Sequence, residues 1–157
     1  MTPGLVIDTN LLLLLVVGQL DEGRYISKSE KLGIYSKKDF NNLLLFMGQY
    51  KAVFFTPYIA TEVSNLIGFT GNVKARAMFA LKSILEIFEE IPTNTKQVVN
   101  TKGFERFGVA DTSLIEVVRK YHVLTHDDPL LHQLYAIKPE NVIPFESLRI
   151  ASGKRRL

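Results

Sequence analysis

The chain has 157 residues, of which 46% are hydrophobic and 10% aromatic, and its formal net charge is +3. This length is enough for one substantial hydrophobic core, and the absence of cysteine excludes disulfides and thiolate metal sites. The longest apolar run, residues 11–17, is much shorter than the roughly 20 residues that a membrane span requires. We therefore expect one soluble, cytoplasmic domain over residues 1–150, without a membrane segment, followed by a basic tail at 151–157.

The first third of the chain predicts a strand that leads into a helix. Residues 4–8 have the apolar character of a short buried strand, and the helix runs from residue 10 to about residue 20, with Asn10 as its cap. Residues 21–38 are polar and contain glycines, which predicts a surface excursion. Residues 39–50 have the spacing of a packed helix.

The middle third predicts a second strand and two helices. The strand covers residues 52–56, and Thr56 and Pro57 are typical of a helix cap and of the first helical position. The helix that follows reaches residue 68. A longer amphipathic helix covers residues 73–91, with Glu89 and Glu90 exposed near its end.

The last third continues the alternation of strands and helices. It predicts a helix at 108–121, a strand at 122–125, a helix at 128–136 and a strand at 141–145. Short apolar strands that alternate with helices indicate an α/β fold, in which helices cover both faces of a parallel sheet. The sequence therefore predicts a three-layer α/β/α sandwich with a central, mostly parallel sheet.

Four acidic residues fall where the carboxyl ends of the predicted strands meet. Asp8 directly follows the first strand, Glu62 lies on the helix after the second, Asp111 lies in the first turn of a later helix, and Asp127 follows the strand at 122–125. Ligands of open parallel sheets bind at this edge. Carboxylates crowded there raise one another's pKa unless a cation neutralises them, so the pattern predicts a metal site.

The ligand type favours a hard divalent cation. Oxygen ligands without cysteine or paired histidines suit Mg²⁺ or Mn²⁺, which can support the hydrolysis of a phosphodiester in nucleic acid. Because Pro129 follows Asp128, we assign Asp128 as the cap of the helix at 128–136 and leave Asp127 for the metal.

Three polar residues are candidates for hydrogen bonds to the ligating carboxylates. They are Asn10, Ser113 and Thr125, and each also suits an ordinary cap or turn position.

At these residues the sequence resembles the PIN-domain family of metal-dependent nucleases. The matching segments are "VIDTN", "TPYIATEVSNL", "GVADTSLIEVV" and "VLTHDDPLL", in that order along the chain. The resemblance implies a three-layer fold, a metal cluster of Asp8, Glu62, Asp111 and Asp127, and cleavage of RNA. It also implies a VapC-type toxin, commonly homodimeric and inhibited by a small antitoxin protein. The chain departs from compact toxins in the length of residues 21–38.

Two other functions are compatible with parts of the pattern. A haloacid-dehalogenase-type phosphatase would use Asp8 as nucleophile, but that chemistry requires a second acid two residues later, where this chain has Asn10. A PIN-like scaffold would bind RNA or a protein without cutting, although the four acids favour cleavage.

Several basic and aromatic residues are candidates for contact with RNA, and each has an ordinary interpretation as a surface or packing residue. They are Tyr58, Lys74, Arg76, His126, Lys154, Arg155 and Arg156.

Overall fold

The computed structural model describes residues 2–154, apart from the side chain of Lys154. At its centre is a five-stranded sheet in which every strand pairs in parallel with its neighbours, in the order β3-β2-β1-β4-β5. The α/β sandwich that the sequence predicts is therefore confirmed. The strands are β1 (Leu5–Ile7), β2 (Val53–Phe55), β3 (Glu89–Glu90), β4 (His122–Thr125) and β5 (Val142–Pro144).

Eight α-helices flank this sheet within the described residues. They are α1 (Thr9–Gly18), α2 (Lys37–Met47), α3 (Pro57–Leu66), α4 (Gly71–Ile87), α5 (Thr95–Val99), α6 (Phe104–Val117), α7 (Asp128–Ile137) and α8 (Phe145–Lys154). None of the helices within residues 2–154 has the length and apolar character needed to cross a membrane.

Helix α1 forms the middle of the hydrophobic core. Residues 11–17 are all buried, and the helix contacts α2, α3 and α4. A helix that is apolar on every side is stable only where other elements enclose it, which explains the leucine run in the sequence. The helix begins at Thr9 rather than at Asn10, and Asp8 is its cap, so the prediction of Asn10 as cap is wrong.

Residues 21–38 lie mostly at the surface, as predicted, but a few of their side chains are buried and secure the segment to the domain. They form short 3₁₀ helices, and Ile26, Leu32 and Tyr35 are buried against the core. Helix α2 then begins at Lys37, with Ser36 and Asp39 forming a capping box. The alternation of charged residues with single apolar ones conceals these anchors in the sequence.

Three elements differ from the prediction for the rest of the chain. Glu89 and Glu90 form the edge strand β3 and not the end of a helix, because their backbone pairs with β2 while their side chains stay exposed. Helix α5 occupies a segment without a predicted element. Helix α8 extends through residue 154, so the first four residues of the predicted tail are helical, and residues 155–157 lie outside the described part of the chain.

Candidate active site at the carboxyl edge of the sheet

The strand order creates a switch point beside β1. From β1 the chain passes to β2 on one side of the sheet and later to β4 on the other. Loops and helix N-termini diverge at such a point, and this is where open α/β sheets bind ligands. Asp8 follows β1 and Thr125 ends β4, so the two residues face each other across the switch point.

Asp8 is a buried carboxylate that the backbone and Thr125 hold in place. Its Oδ1 accepts a hydrogen bond from the backbone N–H of Leu11 (2.9 Å), and its Oδ2 accepts from the Thr125 hydroxyl (2.5 Å) and the His126 N–H (3.2 Å). Burial raises the pKa of Asp8, while these hydrogen bonds act in the opposite direction. The residue is 5% exposed, and its hydrogen-bond partners fix the orientation of the carboxylate.

Asp127 is linked to the same network. Its backbone N–H donates to the Thr125 hydroxyl (3.2 Å), and its own Oδ1 accepts from the N–H of Leu130 (2.9 Å). Asp127 is therefore the cap of α7, and the assignment of that cap to Asp128 is wrong. Pro129 takes the second helical position, which the sequence pattern allows equally well. Asp128 is exposed in the first turn.

Asp111 reaches the site because α6 is broken near its start. Gly108 has a φ of 78° and a ψ of 179°, a conformation that is essentially restricted to glycine. A new helical segment begins after Gly108, and Asp111 lies in its first turn. The prediction of a helix start at residue 108 thus coincides with this break, although helical structure already begins at Phe104.

The charges of the other three predicted acids act on Asp111. Burial, and to a lesser extent the charges of Asp8, Asp127 and Glu62, raise the pKa of Asp111 to about 7. Partial burial also raises the pKa of Glu62, which lies in the second turn of α3. Coulomb interactions of this kind require proximity, so Asp8, Asp127 and Glu62 come close enough to Asp111 for their charges to affect it.

The other predicted polar residues have different partners. The Ser113 hydroxyl donates to the carbonyl of Ala110 (2.5 Å) and pairs with the Thr56 hydroxyl (3.0 Å), so it holds α6 against the cap of α3. Asn10 is exposed in the first turn of α1, and its side chain has no hydrogen bond to a carboxylate within residues 2–154. Of the three, only Thr125 contacts a site carboxylate.

The candidates for RNA contact outside the acids are mostly engaged in the fold. Arg76 pairs with Asp21 (2.6 Å), and the Tyr58 hydroxyl pairs with Thr95 (2.5 Å). Lys74 lies in the first turn of α4. Arg155 and Arg156 lie outside the described residues, as does the side chain of Lys154.

His126, one of the candidates for RNA contact, lies next to Asp8 and has partners that the sequence does not predict. The His126 ring lies between the Tyr35 hydroxyl (3.1 Å) and a Glu146 carboxylate oxygen (3.3 Å), and Arg149 binds Glu146 (3.4 Å) and Asp39 (3.0 Å). Burial and the charge of Asp8 raise the pKa of Tyr35. These residues come from three distant parts of the chain, so no local spacing could have joined them.

The donors at this edge suit a divalent cation chemically, but their arrangement is incomplete. Within residues 2–154, none of the four acids has an ion-pair partner, so no lysine or arginine neutralises them. In the same part of the chain, no three Asp, Glu or His side chains stand where they could hold one ion together. A shared ion would require rotamer changes, which the exposed side chains of Glu62 and Asp127 allow.

Comparison with known families finds no family model that matches the chain, and comparison with curated proteins finds no significant match.

Proposed function

We propose that the protein is a cytoplasmic, metal-dependent endoribonuclease, with Mg²⁺ or Mn²⁺ bound by Asp8, Glu62, Asp111 and Asp127. The observation that supports this most strongly is geometric: the Thr125 hydroxyl joins Asp8 to the backbone of Asp127 at the switch point of the sheet, and the acids there have no neutralising side chain among the described residues. Four acids from four elements destabilise one another unless a cation joins them. Oxygen ligands alone favour a hard ion.

The residues of the chain have distinct tasks in this proposal. Asp8 is a fixed ligand, because two backbone N–H groups and Thr125 determine the positions of both its oxygens. Glu62 and Asp127 are exposed and adjust to the ion. When bound, the ion supplies Lewis-acid activation of water and stabilises negative charge on the phosphodiester oxygens.

The decisive experiment is cleavage of single-stranded RNA with Mn²⁺, with excess chelator, and with the variant Asp8→Asn. Loss of a residue that merely supports a metal ligand costs 10–100-fold, so we expect a greater loss for Asp8→Asn and no cleavage with chelator. Asp21→Asn is the matched control, since it removes an exposed carboxylate that pairs with Arg76. Undiminished cleavage by Asp8→Asn, or cleavage with chelator, would contradict the proposal.

A scaffold that binds RNA or protein without cutting is a second candidate. The specific observation in its favour is that no three donors within residues 2–154 are arranged to hold an ion. Calorimetric titration with Mn²⁺ separates the two functions, because the scaffold predicts no binding by the folded protein.

The partners in this proposal are RNA, a second copy of the chain and a small antitoxin protein. A toxin requires an inhibitor, so a small reading frame beside that of this chain, whose product abolishes the RNA cleavage, is the expected finding.

A further inference from the structure

A cleft rich in cationic and amide side chains lies away from the carboxyl edge of the sheet. It has a volume of about 760 Å³ and lies between α5, the C-terminal part of α6 and the end of α7. None of the four acids of the candidate active site lines it. Its hydrogen-bond donors include Lys96, Gln97, Asn100, Lys102, Arg119 and Gln133.

The charge balance of this cleft is positive. Among the described residues, Glu116 is the only carboxylate in the lining of the cleft, and one of its oxygens accepts a hydrogen bond from the Thr101 hydroxyl (2.8 Å). Lys96, Lys102 and Arg119 have no ion-pair partner within residues 2–154. Unpaired cations around one concave surface attract an anion, most strongly one that carries several negative charges.

A second cavity extends the cleft. It has a volume of about 460 Å³, shares Gln97, Glu116 and Arg119 with the first, and adds Lys120 to the lining. The two cavities share the side chains of Gln97, Glu116 and Arg119, so they are neighbours on one surface, and we refer to them together as the groove. A groove suits an extended ligand better than a compact one.

Helix α6 connects this groove to the candidate active site. Asp111 lies near the acidic edge, and Arg119 lies two residues beyond the end of the same helix, in the lining of the groove. At about 1.5 Å per residue, Arg119 lies on the order of 10 Å from Asp111 along the axis. A stacked nucleic-acid strand covers that distance in about three nucleotides, at ~3.4 Å each.

We propose that the groove lined by Lys96, Lys102, Arg119 and Lys120 binds the phosphate backbone of single-stranded RNA that extends from the acidic edge. This inference rests on the proposed function for the identity of the ligand, and it assigns the part of the protein that holds the strand beyond the cleaved bond. Lysine and arginine neutralise phosphates without regard to sequence, while the amides of Gln97 and Gln133 can donate to sugar or phosphate oxygens.

Binding of a short single-stranded RNA, followed by fluorescence anisotropy over a range of salt concentrations, tests the inference. Chelator is present throughout, so that cleavage does not interfere. The test variant is Lys102→Ala/Arg119→Ala, and the control Lys51→Ala/Lys82→Ala removes the same number of exposed charges elsewhere. Each phosphate contact contributes about 0.7 to the magnitude of the slope of log K against log salt for a single strand. Loss of two contacts should therefore reduce the magnitude of this slope by about 1.4 in the test variant.

We also expect an affinity loss on the order of tenfold at moderate salt for the test variant, and little change for the control. The variant Lys102→Arg/Arg119→Lys keeps both charges and should retain the slope. Equal losses in the test and control variants would overturn the inference. The inference would also be overturned if the protein failed to bind the RNA but bound a nucleoside monophosphate, and if that binding were lost on substitution of Lys102 and Arg119.

Failure of the groove proposal and failure of the nuclease proposal give different experimental results. RNA binding through the groove without any Mn²⁺-dependent cleavage would remove the proposed activity and leave the binding site. Cleavage that depends on Asp8, together with binding that is insensitive to Lys102 and Arg119, would remove the groove and leave the activity.

Discussion

Thr125 is the residue on which the geometry of the acidic edge depends most. Its hydroxyl donates to Asp8 and accepts from the N–H of Asp127, so one buried atom joins the ends of β1 and β4 to the start of α7. A hydrogen bond to a charged group contributes about 1.5–3 kcal/mol, and its loss leaves a buried acceptor unsatisfied.

We predict that Thr125→Val lowers the free energy of unfolding by about 2 kcal/mol. Thr112→Val is the matched control, because the Thr112 hydroxyl is buried and has no hydrogen-bond partner within residues 2–154. Removing an unsatisfied hydroxyl should leave stability unchanged or raise it. Urea denaturation of both variants measures the difference, and equal destabilisation would contradict the assigned role of Thr125.

The raised pKa of Asp111 makes a prediction about pH. The ordinary pKa of an aspartate is 3.8, and the pKa of Asp111 in the folded protein is about 7. Between these two pH values the folded state binds a proton that the unfolded state has lost. Stability therefore falls as the pH rises through this interval, and the full loss is reached above about pH 7. The variant Asp111→Asn does not lose stability in this way, because asparagine does not ionise.

Without divalent metal, Asp111→Asn should be more stable than the wild type by about 1–2 kcal/mol at about pH 8, after allowance for solvent screening, and by less at about pH 5. Urea midpoints at the two pH values measure the effect, with the exposed Asp128→Asn as control. A gain that is independent of pH would show that the Asp111 carboxylate is not the cause.

Single residues were predictable where a local pattern determines their position. Thr56 and Pro57 begin α3 as the sequence indicates, because the cap and the first helical position have clear chemical requirements. The choice between Asp127 and Asp128 was wrong, since proline suits the second helical position as well as the first. Ser113 was equally ambiguous, because its partner Thr56 is 57 residues away.

At the scale of elements, the segment at residues 21–38 depends on helix α8. The Arg149 guanidinium binds both carboxylate oxygens of Asp39 at 3.0 Å and the carbonyl of Ile34 at 2.9 Å, and it lies over the rings of Tyr35 and Phe145. Asp39 is 8% exposed in its side chain, so loss of the arginine would leave a nearly buried charge unpaired.

Arg149→Gln should therefore lower the free energy of unfolding by about 2 kcal/mol and make residues 21–38 more sensitive to proteases. Arg76→Gln is the control, because the pair of Arg76 with Asp21 is exposed and should contribute little. Denaturation and limited proteolysis measure the two effects. Similar behaviour of the two variants would contradict the claim that α8 secures this segment.

The elements themselves were predictable where apolar residues are dense. The strands β1, β2, β4 and β5 and the helices between them, apart from α5, follow from runs of Val, Ile, Leu and Phe. Strand β3 was missed because two exposed glutamates carry no strand signal, and only pairing with β2 places them in the sheet. The break at Gly108 likewise depends on tertiary structure, although glycine permits it.

At the scale of the molecule, the sequence predicts the layers and the edge at which the acids lie, because parallel strands align their carboxyl ends. It does not predict which residues touch across that edge. The hydrogen bond between Thr125 and Asp8 spans 117 positions, and the network of Tyr35, His126 and Glu146 joins three separate segments. Such contacts follow from the strand order, which local patterns do not determine.

The most direct measurement of the central claim is a crystal of this protein soaked with Mn²⁺ and examined by anomalous scattering. We predict a peak within coordinating distance of Asp8 and at least two of Glu62, Asp111 and Asp127, with the exposed side chains of Glu62 and Asp127 turned towards the ion. The same soak of Asp8→Asn should show a weaker peak or none. A well-ordered wild-type edge without manganese density would contradict the account.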